Sequence, residues 1–174
     1  MTTERTYRTH LDSPLGRLTL VASDVGLRAV LWPAENPKLA LLSPGAIEVR
    51  SHPILDAAGK QLAAYFSHKR REFDLPFDLQ GTQFQKMAWL ALASIPYGTT
   101  VSYATQASRI GRPAAVRAVG AANGRNPVPI ILPCHRVVGA NGSLVGYAAG
   151  LDIKKWLLEH ERGDRQPRLP ETGT

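Results

Sequence analysis

The chain has 174 residues, 44% of them apolar, and a formal net charge of +7, enough length to bury a core in one domain or two small ones. No run approaches the ~18 apolar residues of a membrane span, and Met-Thr-Thr-Glu-Arg-Thr at the start lacks the layout of a secretion signal, so a soluble cytoplasmic protein is expected. The single cysteine, Cys134, excludes an intrachain disulfide and a cysteine-rich zinc site, and it suits a reducing compartment.

The charge is unevenly spread. Residues 1–81 carry 10 Lys/Arg against 9 Asp/Glu, whereas residues 82–150 carry Lys86, Arg109, Arg112, Arg117, Arg125 and Arg136 and no acid at all. A polyanionic partner explains such a segment, because each acid would oppose phosphate contact. A small-residue core segment that happens to lack acids would look the same.

In chain order, Tyr7–His10, Leu18–Ala22 and Leu27–Trp32 read as short strands separated by turns at Pro14, Gly16 and Asp24-Val-Gly26. Residues 33–52 read as a loop. Ile54, Leu55, Ala58, Leu62, Tyr65 and Phe66 have the spacing of an amphipathic helix, and Phe73 to Leu79 alternates like a strand. A domain boundary is expected near Gln80-Gly81.

The second half reads as helical. Phe84 to Ile95 is helix-spaced and stops at Pro96-Tyr97-Gly98; Ser102 is placed to cap a helix running to Ile110, with Gly111 as its stop. Pro113 fits the first turn of a further helix ending near Asn123-Gly124, so the pair forms a helix-turn-helix candidate. On the second helix Val116 and Val119 mark one face, and Arg117 lies on another among Ala114, Ala118, Gly120 and Ala121. Small residues around one guanidinium suit close approach to a duplex; they equally suit an alanine-rich helix packed on a neighbour.

Cys134 follows the apolar run Val128–Leu132, which reads as a strand, within Pro133-Cys134-His135-Arg136-Val137. A core strand has no need of His-Arg beside its thiol, whereas a nucleophilic thiolate needs basic or cationic neighbours. Residues 138–143 read as a turn, 146–150 as a small-residue loop around Tyr147, and Leu151 to Arg162 as a last helix stopped by Gly163. Its buried stripe would be Ile153, Trp156, Leu157, His160 and Glu161, so a carboxylate points inward and needs a partner, unless the helix end is simply solvated.

These residues resemble the O6-alkylguanine-DNA alkyltransferases, the methylated-DNA–protein-cysteine methyltransferase family. The resemblance spans Asp12 to Glu161 and is carried by Gly81-Thr-x-Phe84, Ile95-Pro-Tyr-Gly98, Ser102-Tyr103, Arg117-Ala-Val-Gly120, Asn126-Pro127, Pro133-Cys-His-Arg-Val137, Gly146-Tyr147 and Leu157-Leu-x-His-Glu161. It implies an α+β protein: an N-terminal RNase H-like α/β domain over 1–80, then a mainly helical, winged-helix-like domain with a helix-turn-helix over 81–163, and a tail from 164 to 174. It implies repair of O6-alkylguanine, with O4-alkylthymine as a second substrate, by one irreversible alkyl transfer to Cys134. His135 would act as base, Glu161 would orient it, Tyr103 would protonate the departing base, and Asn126 would hold the turns before the cysteine. Arg117, with Ala115, Val116, Gly120 and Arg125, would contact DNA and assist extrusion of the nucleotide. Tyr103, Pro129, Val137, Tyr147, Ala148 and Ala149 would wall the pocket.

The implied partner is double-stranded DNA containing alkylated guanine, met by a monomer, with cooperativity on DNA left open. Some relatives carry a structural zinc. Here the N-terminal half has only His10, His52 and His68 and no cysteine, so neither metal nor cofactor is expected. Ala149 stands where the family often has a glycine, which would matter if φ were positive there. Val116 exceeds the usual alanine. Leu169–Gly173 matches a sortase recognition motif without the apolar segment of a wall anchor. Coupling of Cys134 to His135 and Glu161 predicts a depressed thiol pKa. A helix-turn-helix protein that binds without chemistry is the rival reading, and it leaves Cys134, His135 and Glu161 without a purpose.

Overall fold

The computed structural model describes residues 4–33 and 44–163, so the 164–174 tail and the sortase-like segment lie outside the described residues. The chain divides into two compact units, Met1–Gly81 and Thr82–Thr174.

In the first unit, strand β1 (Thr6–Ser13) and strand β2 (Gly16–Ser23) form a hairpin in register from Thr6↔Ser23 to Ser13↔Gly16. Strand β3 (Leu27–Leu31) continues antiparallel on β2, and the two-residue strand β4 (Ile47–Glu48), inside the stretch expected to be loop, pairs parallel to β1. The order is β3-β2-β1-β4. Helix α1 (Pro53–Phe66) starts with proline in its first turn, and the His52 ring accepts from the Ile54 amide at 3.3 Å. It buries Leu55, Ala58, Leu62 and Tyr65, while Leu18, Leu20, Val30 and Ala29 supply the sheet's share of the core.

The strand expected over Phe73 to Leu79 is absent. Leu27 instead bonds the Pro76 carbonyl at 2.8 Å and accepts from the Asp78 amide at 2.9 Å, a single bridge. Pro76 has no amide to extend a ladder. The contact requires glycine next door, because a Cβ at Gly26 would collide with the Phe77 backbone.

The second unit opens with helix α2 (Gln83–Ala91), whose Thr82 and Gln85 cap one another at 3.1 and 2.9 Å; a 3-10 turn, Leu92–Ser94, follows. Strand β5 (Val101–Ser102) leads into helix α3 (Tyr103–Arg109), capped by Ser102, and Gly111 at φ 73° ends it. Helix α4 (Val116–Asn123) begins three residues later than Pro113 suggested. The Ala115 amide turns back on the Arg112 carbonyl at 2.9 Å, so residues 112–115 form a turn rather than a helical start. As a result Val119 is buried but Val116 is 37% exposed, so the two valines do not share a core face.

The run Val128–Leu132 is not a strand. Prolines 127, 129 and 133 remove alternate amides from any ladder, Ile130 takes φ +73°, and the Leu132 amide closes on the Val128 carbonyl at 3.0 Å. Cys134–Arg136 is a 3-10 turn. Strand β6 (Val137–Val138) pairs parallel with β5, and helix α5 (Leu151–Arg162) ends at Gly163, φ 73°.

The two helices of the helix-turn-helix are locked by buried amides. Gln106 donates to Asn123 at 3.0 Å, Asn123 returns a bond at 2.7 Å, and the Trp89 indole donates to the Ala122 carbonyl at 2.7 Å. Among the described residues, no helix is long and apolar enough to cross a membrane.

Candidate active site

Cys134 is placed by its approach. The Asn126 side chain accepts from the Val128 amide at 3.0 Å and donates to the Leu132 carbonyl at 2.7 Å, closing the proline-rich turns on themselves. The Cys134 amide then meets the Leu132 carbonyl at 2.8 Å. The thiol is buried beside a cavity of about 180 Å³ lined by Tyr103, Gly120, Asn123, Gly124, Gly146, Tyr147 and Ala148 together with Cys134 itself.

Behind the thiol, the inward-pointing carboxylate of α5 has its partners. His135 Nε2 stands 2.7 Å from Glu161 Oε2, with both side chains inaccessible to water. Arg136 binds the same carboxylate in a fork, Nε to Oε1 at 2.7 Å and Nη2 to Oε2 at 3.0 Å, and its Nη1 reaches the Ile95 carbonyl at 2.7 Å. Burial alone would raise the Glu161 carboxyl, but hydrogen bonds and charge from His135 and then Arg136 outweigh it and hold the group well below the carboxylate range. Burial pulls His135 below its ordinary value against the opposing pull of Glu161, so the ring is neutral and donates through Nε2. Among the described residues its Nδ1 has no hydrogen-bond partner, which leaves a lone pair free to accept a proton.

The thiol departs from the expected depression. Burial pushes Cys134 up, and the Asn126 side chain, the Lys154 charge, its own backbone and the Tyr147 hydroxyl only partly oppose that rise. The tyrosines are raised as well: Tyr103 by burial and the Cys134 charge, Tyr147 strongly by burial and the same neighbour. Both hydroxyls therefore remain protonated and able to donate. Tyr103 Oη donates to the Val145 carbonyl at 2.8 Å.

Most of the expected pocket residues lie together, with exceptions. Tyr103, Tyr147 and Ala148 line the cavity; Pro129, Val137 and Ala149 do not. Pro129 lies in the turn that Asn126 closes, and Val137 pairs with Val101 in the β5–β6 sheet. At the loop before α5 the positive φ values fall on Gly146 (61°) and Gly150 (100°), so alanine at 149 carries no backbone penalty. On α4, Val116, Arg117, Ala118 and Ala121 are exposed, Ala115 and Gly120 half-buried, and Arg125 exposed just beyond the helix. The exposed arginine among small side chains is thus a surface feature, set about one helical turn from the cavity-lining Gly120 and about two from Asn123 and Gly124.

Three contributors escaped the sequence reading: Arg136, Asn123 and Lys154. Arg136 was visible as the residue after His135. Lys154 shares a helix face with Leu157, Leu158 and Glu161 by the i, i+3, i+4, i+7 pattern, but that spacing alone does not separate a buried lysine from one that reaches solvent. It is fully buried.

Comparison with known proteins places the whole described chain in one family. Residues 6–79 match the family model described as the ribonuclease-like domain of 6-O-methylguanine DNA methyltransferase, and residues 83–163 match the DNA binding domain of the same family. A methylated-DNA–protein-cysteine methyltransferase of Methanosarcina acetivorans is 44% identical over 89% of this chain and 97% of its own length. One from Mycobacterium tuberculosis is 47% identical over 90% and 92%. The crystal structure of Mycobacterium tuberculosis OGT in complex with DNA superposes with a TM-score of 0.81 at 41% identity, covering 95% of this chain and 96% of that one.

Proposed function

The chain belongs to the methylated-DNA–protein-cysteine methyltransferase family, proteins of DNA repair by alkyl transfer, and we propose that it moves the alkyl group of O6-alkylguanine, and of O4-alkylthymine, from double-stranded DNA to Cys134. The observation that carries this reading is a buried lone thiol on the wall of a cavity between Tyr103 and Tyr147, backed by the His135–Glu161 pair.

The chemistry assigns each residue a task. His135 Nδ1, directly or through a water, takes the thiol proton, and Glu161 supports the ring as it becomes cationic. Cys134 Sγ attacks the alkyl carbon; the S–C bond forms, the C–O6 bond breaks, and its electron pair remains on the guanine. The base takes up a proton, which the Tyr103 hydroxyl donates. Water has no ready route to cleave the resulting thioether, so each molecule acts once. Because the target atom lies inside the stack, the nucleotide is rotated out. The small-residue face of α4 enters the minor groove, and Arg117 takes the vacated space. The protein acts as a cytoplasmic monomer without metal or cofactor.

Mass spectrometry after incubation with duplex DNA containing O6-methylguanine tests the proposal. One added methyl on Cys134, saturating at one equivalent, is the expected result. Turnover beyond one equivalent indicates a hydrolase, and unchanged mass with retained binding indicates a helix-turn-helix protein that only binds.

A further inference from the structure

Lys154 poses a problem that the reaction as described leaves unsolved. Its side chain is fully buried, yet among the described residues it forms no ion pair with a carboxylate. Glu161, the nearby acid of the same helix, is committed to His135 and Arg136. The ammonium instead donates to the Val145 carbonyl at 3.1 Å, the Gly146 carbonyl at 3.3 Å and the Tyr103 hydroxyl at 3.4 Å, and it stands 5.7 Å from the centre of the Tyr103 ring. A buried cation satisfied only by neutral oxygens is costly unless an anion accompanies it at some stage.

The groups around it name that anion. Tyr103, Gly146, Tyr147 and Cys134 share the cavity wall, and Lys154 stands behind Tyr103 and Gly146. The titratable groups facing the thiol are Tyr103 from α3, Tyr147 from the loop, Lys154 from α5 and the adjacent His135, with Glu161 and Arg136 beyond the imidazole. Both tyrosines are neutral there, and His135 is drawn toward Glu161 through Nε2. Lys154 is therefore the full positive charge that acts on the sulfur; burial pulls it below its ordinary value, and the coupling opposes that loss both ways, since its charge favours the thiolate and the thiolate favours its charge.

We propose that Lys154 is a positioning residue of alkyl transfer, holding the Tyr103 hydroxyl and the 145–146 carbonyls in place and supplying the positive charge against which the Cys134 thiolate forms. His135 removes the proton, and Lys154 stabilises the anion left behind. The inference rests on Cys134 being the acceptor, but its tests use no alkylated DNA, so failure of repair and failure of this assignment are separable.

The first test follows the rate of Cys134 modification by iodoacetamide against pH. Lys154→Met raises the midpoint by at least one unit, and Lys154→Gln, which can still donate to the carbonyls but carries no charge, raises it equally. Lys154→Arg returns the midpoint toward that of the parent. An unchanged midpoint in folded Lys154→Met overturns the proposal, and a normal midpoint in Lys154→Gln replaces the charge by a hydrogen-bonding role and overturns it too. The second test needs no variant that must fold. Linkage requires reciprocity, so capping Cys134 with the neutral carbamidomethyl group must lower the titration midpoint of the Lys154 side chain, followed by NMR of labelled lysine. A midpoint that does not move on capping overturns the proposal.

Discussion

At the scale of single residues, the site is a set of buried polar groups that hold one another in defined protonation states. Cys134→Ser keeps the shape but substitutes an alcohol, a far weaker nucleophile at neutral pH. We expect no alkyl transfer with binding to lesion DNA retained; stoichiometric transfer by the serine variant, seen by mass, contradicts the acceptor assignment. Glu161 and His135 carry charges of opposite sign when ionised, but both shifts work in one direction for stability. The His135 ring is lowered below 6.5 in the fold, so stability is intact above that value and falls as pH drops through the folded value. The Glu161 carboxyl lies below its ordinary 4.5, so its contribution is present above 4.5 and is lost as pH falls further. Melting temperature should therefore decline from about pH 6.5 downward, with a second decline below 4.5. Glu161→Gln should flatten the lower limb while costing about 3–5 kcal/mol at pH 7, because Arg136 is left in the interior without its carboxylate. Thermal melts of both proteins from pH 3 to 8 decide the matter.

At the scale of elements, helix α4 presents two distinct faces. Its inner face is tied to α3 by the Gln106–Asn123 amides, so Asn123→Ala leaves a buried amide unsatisfied, at a cost of about 1–3 kcal/mol. Replacing both amides by leucine removes the orphan along with its partner and should recover much of that loss, as chemical denaturation of the single and double variants will show. Its outer face presents Arg117, exposed among alanines. If Arg117 acts in extrusion, Arg117→Ala slows repair of duplex substrate far more than reaction with free O6-benzylguanine, which needs no flipping; equal loss on both substrates makes its role structural. The same element shows where a sequence is legible. The apolar period of α5 and the Ser102 cap of α3 are local signals, and both elements formed at or within one residue of their expected ends. The start of α4 and the turns over 128–133 were not legible, because they depend on bonds between backbone groups and on the Asn126 bridge across six residues. Among site residues, Cys134 and His135 stood out by type, and Glu161 by its inward spacing. Lys154 did not, since a lysine in a polar stretch reads as solvated until the neighbours that bury it are known.

At the scale of the whole molecule, each unit carries its own buried apolar set, and the proposed acceptor Cys134 lies in only one of them. If Cys134 is the acceptor, the thioether adds its volume on the cavity side, toward Tyr103, Tyr147 and the end of α4, and a benzyl group fills far more of the ~180 Å³ than a methyl group. Where an added group exceeds the room available, overpacking typically costs about 1–3 kcal/mol. The turns that transmit this strain are stiff: they hold Ile130 at φ +73°, and Asn126 clamps them from Val128 to Leu132. Those turns run directly from the end of α4 to the sulfur, so strain at Cys134 would be passed to α4, the helix proposed to meet DNA. We therefore expect alkylated protein to melt below the free form and to bind DNA less tightly, with the benzylated protein lower than the methylated one on both measures. Amide exchange should report the loss first within residues 82–163, while protection of β1 to β3 and α1 is retained. Melting curves and exchange profiles of the unmodified, methylated and benzylated proteins provide the comparison; a benzylated form that melts at or above the free protein would show that the cavity accepts the product without strain.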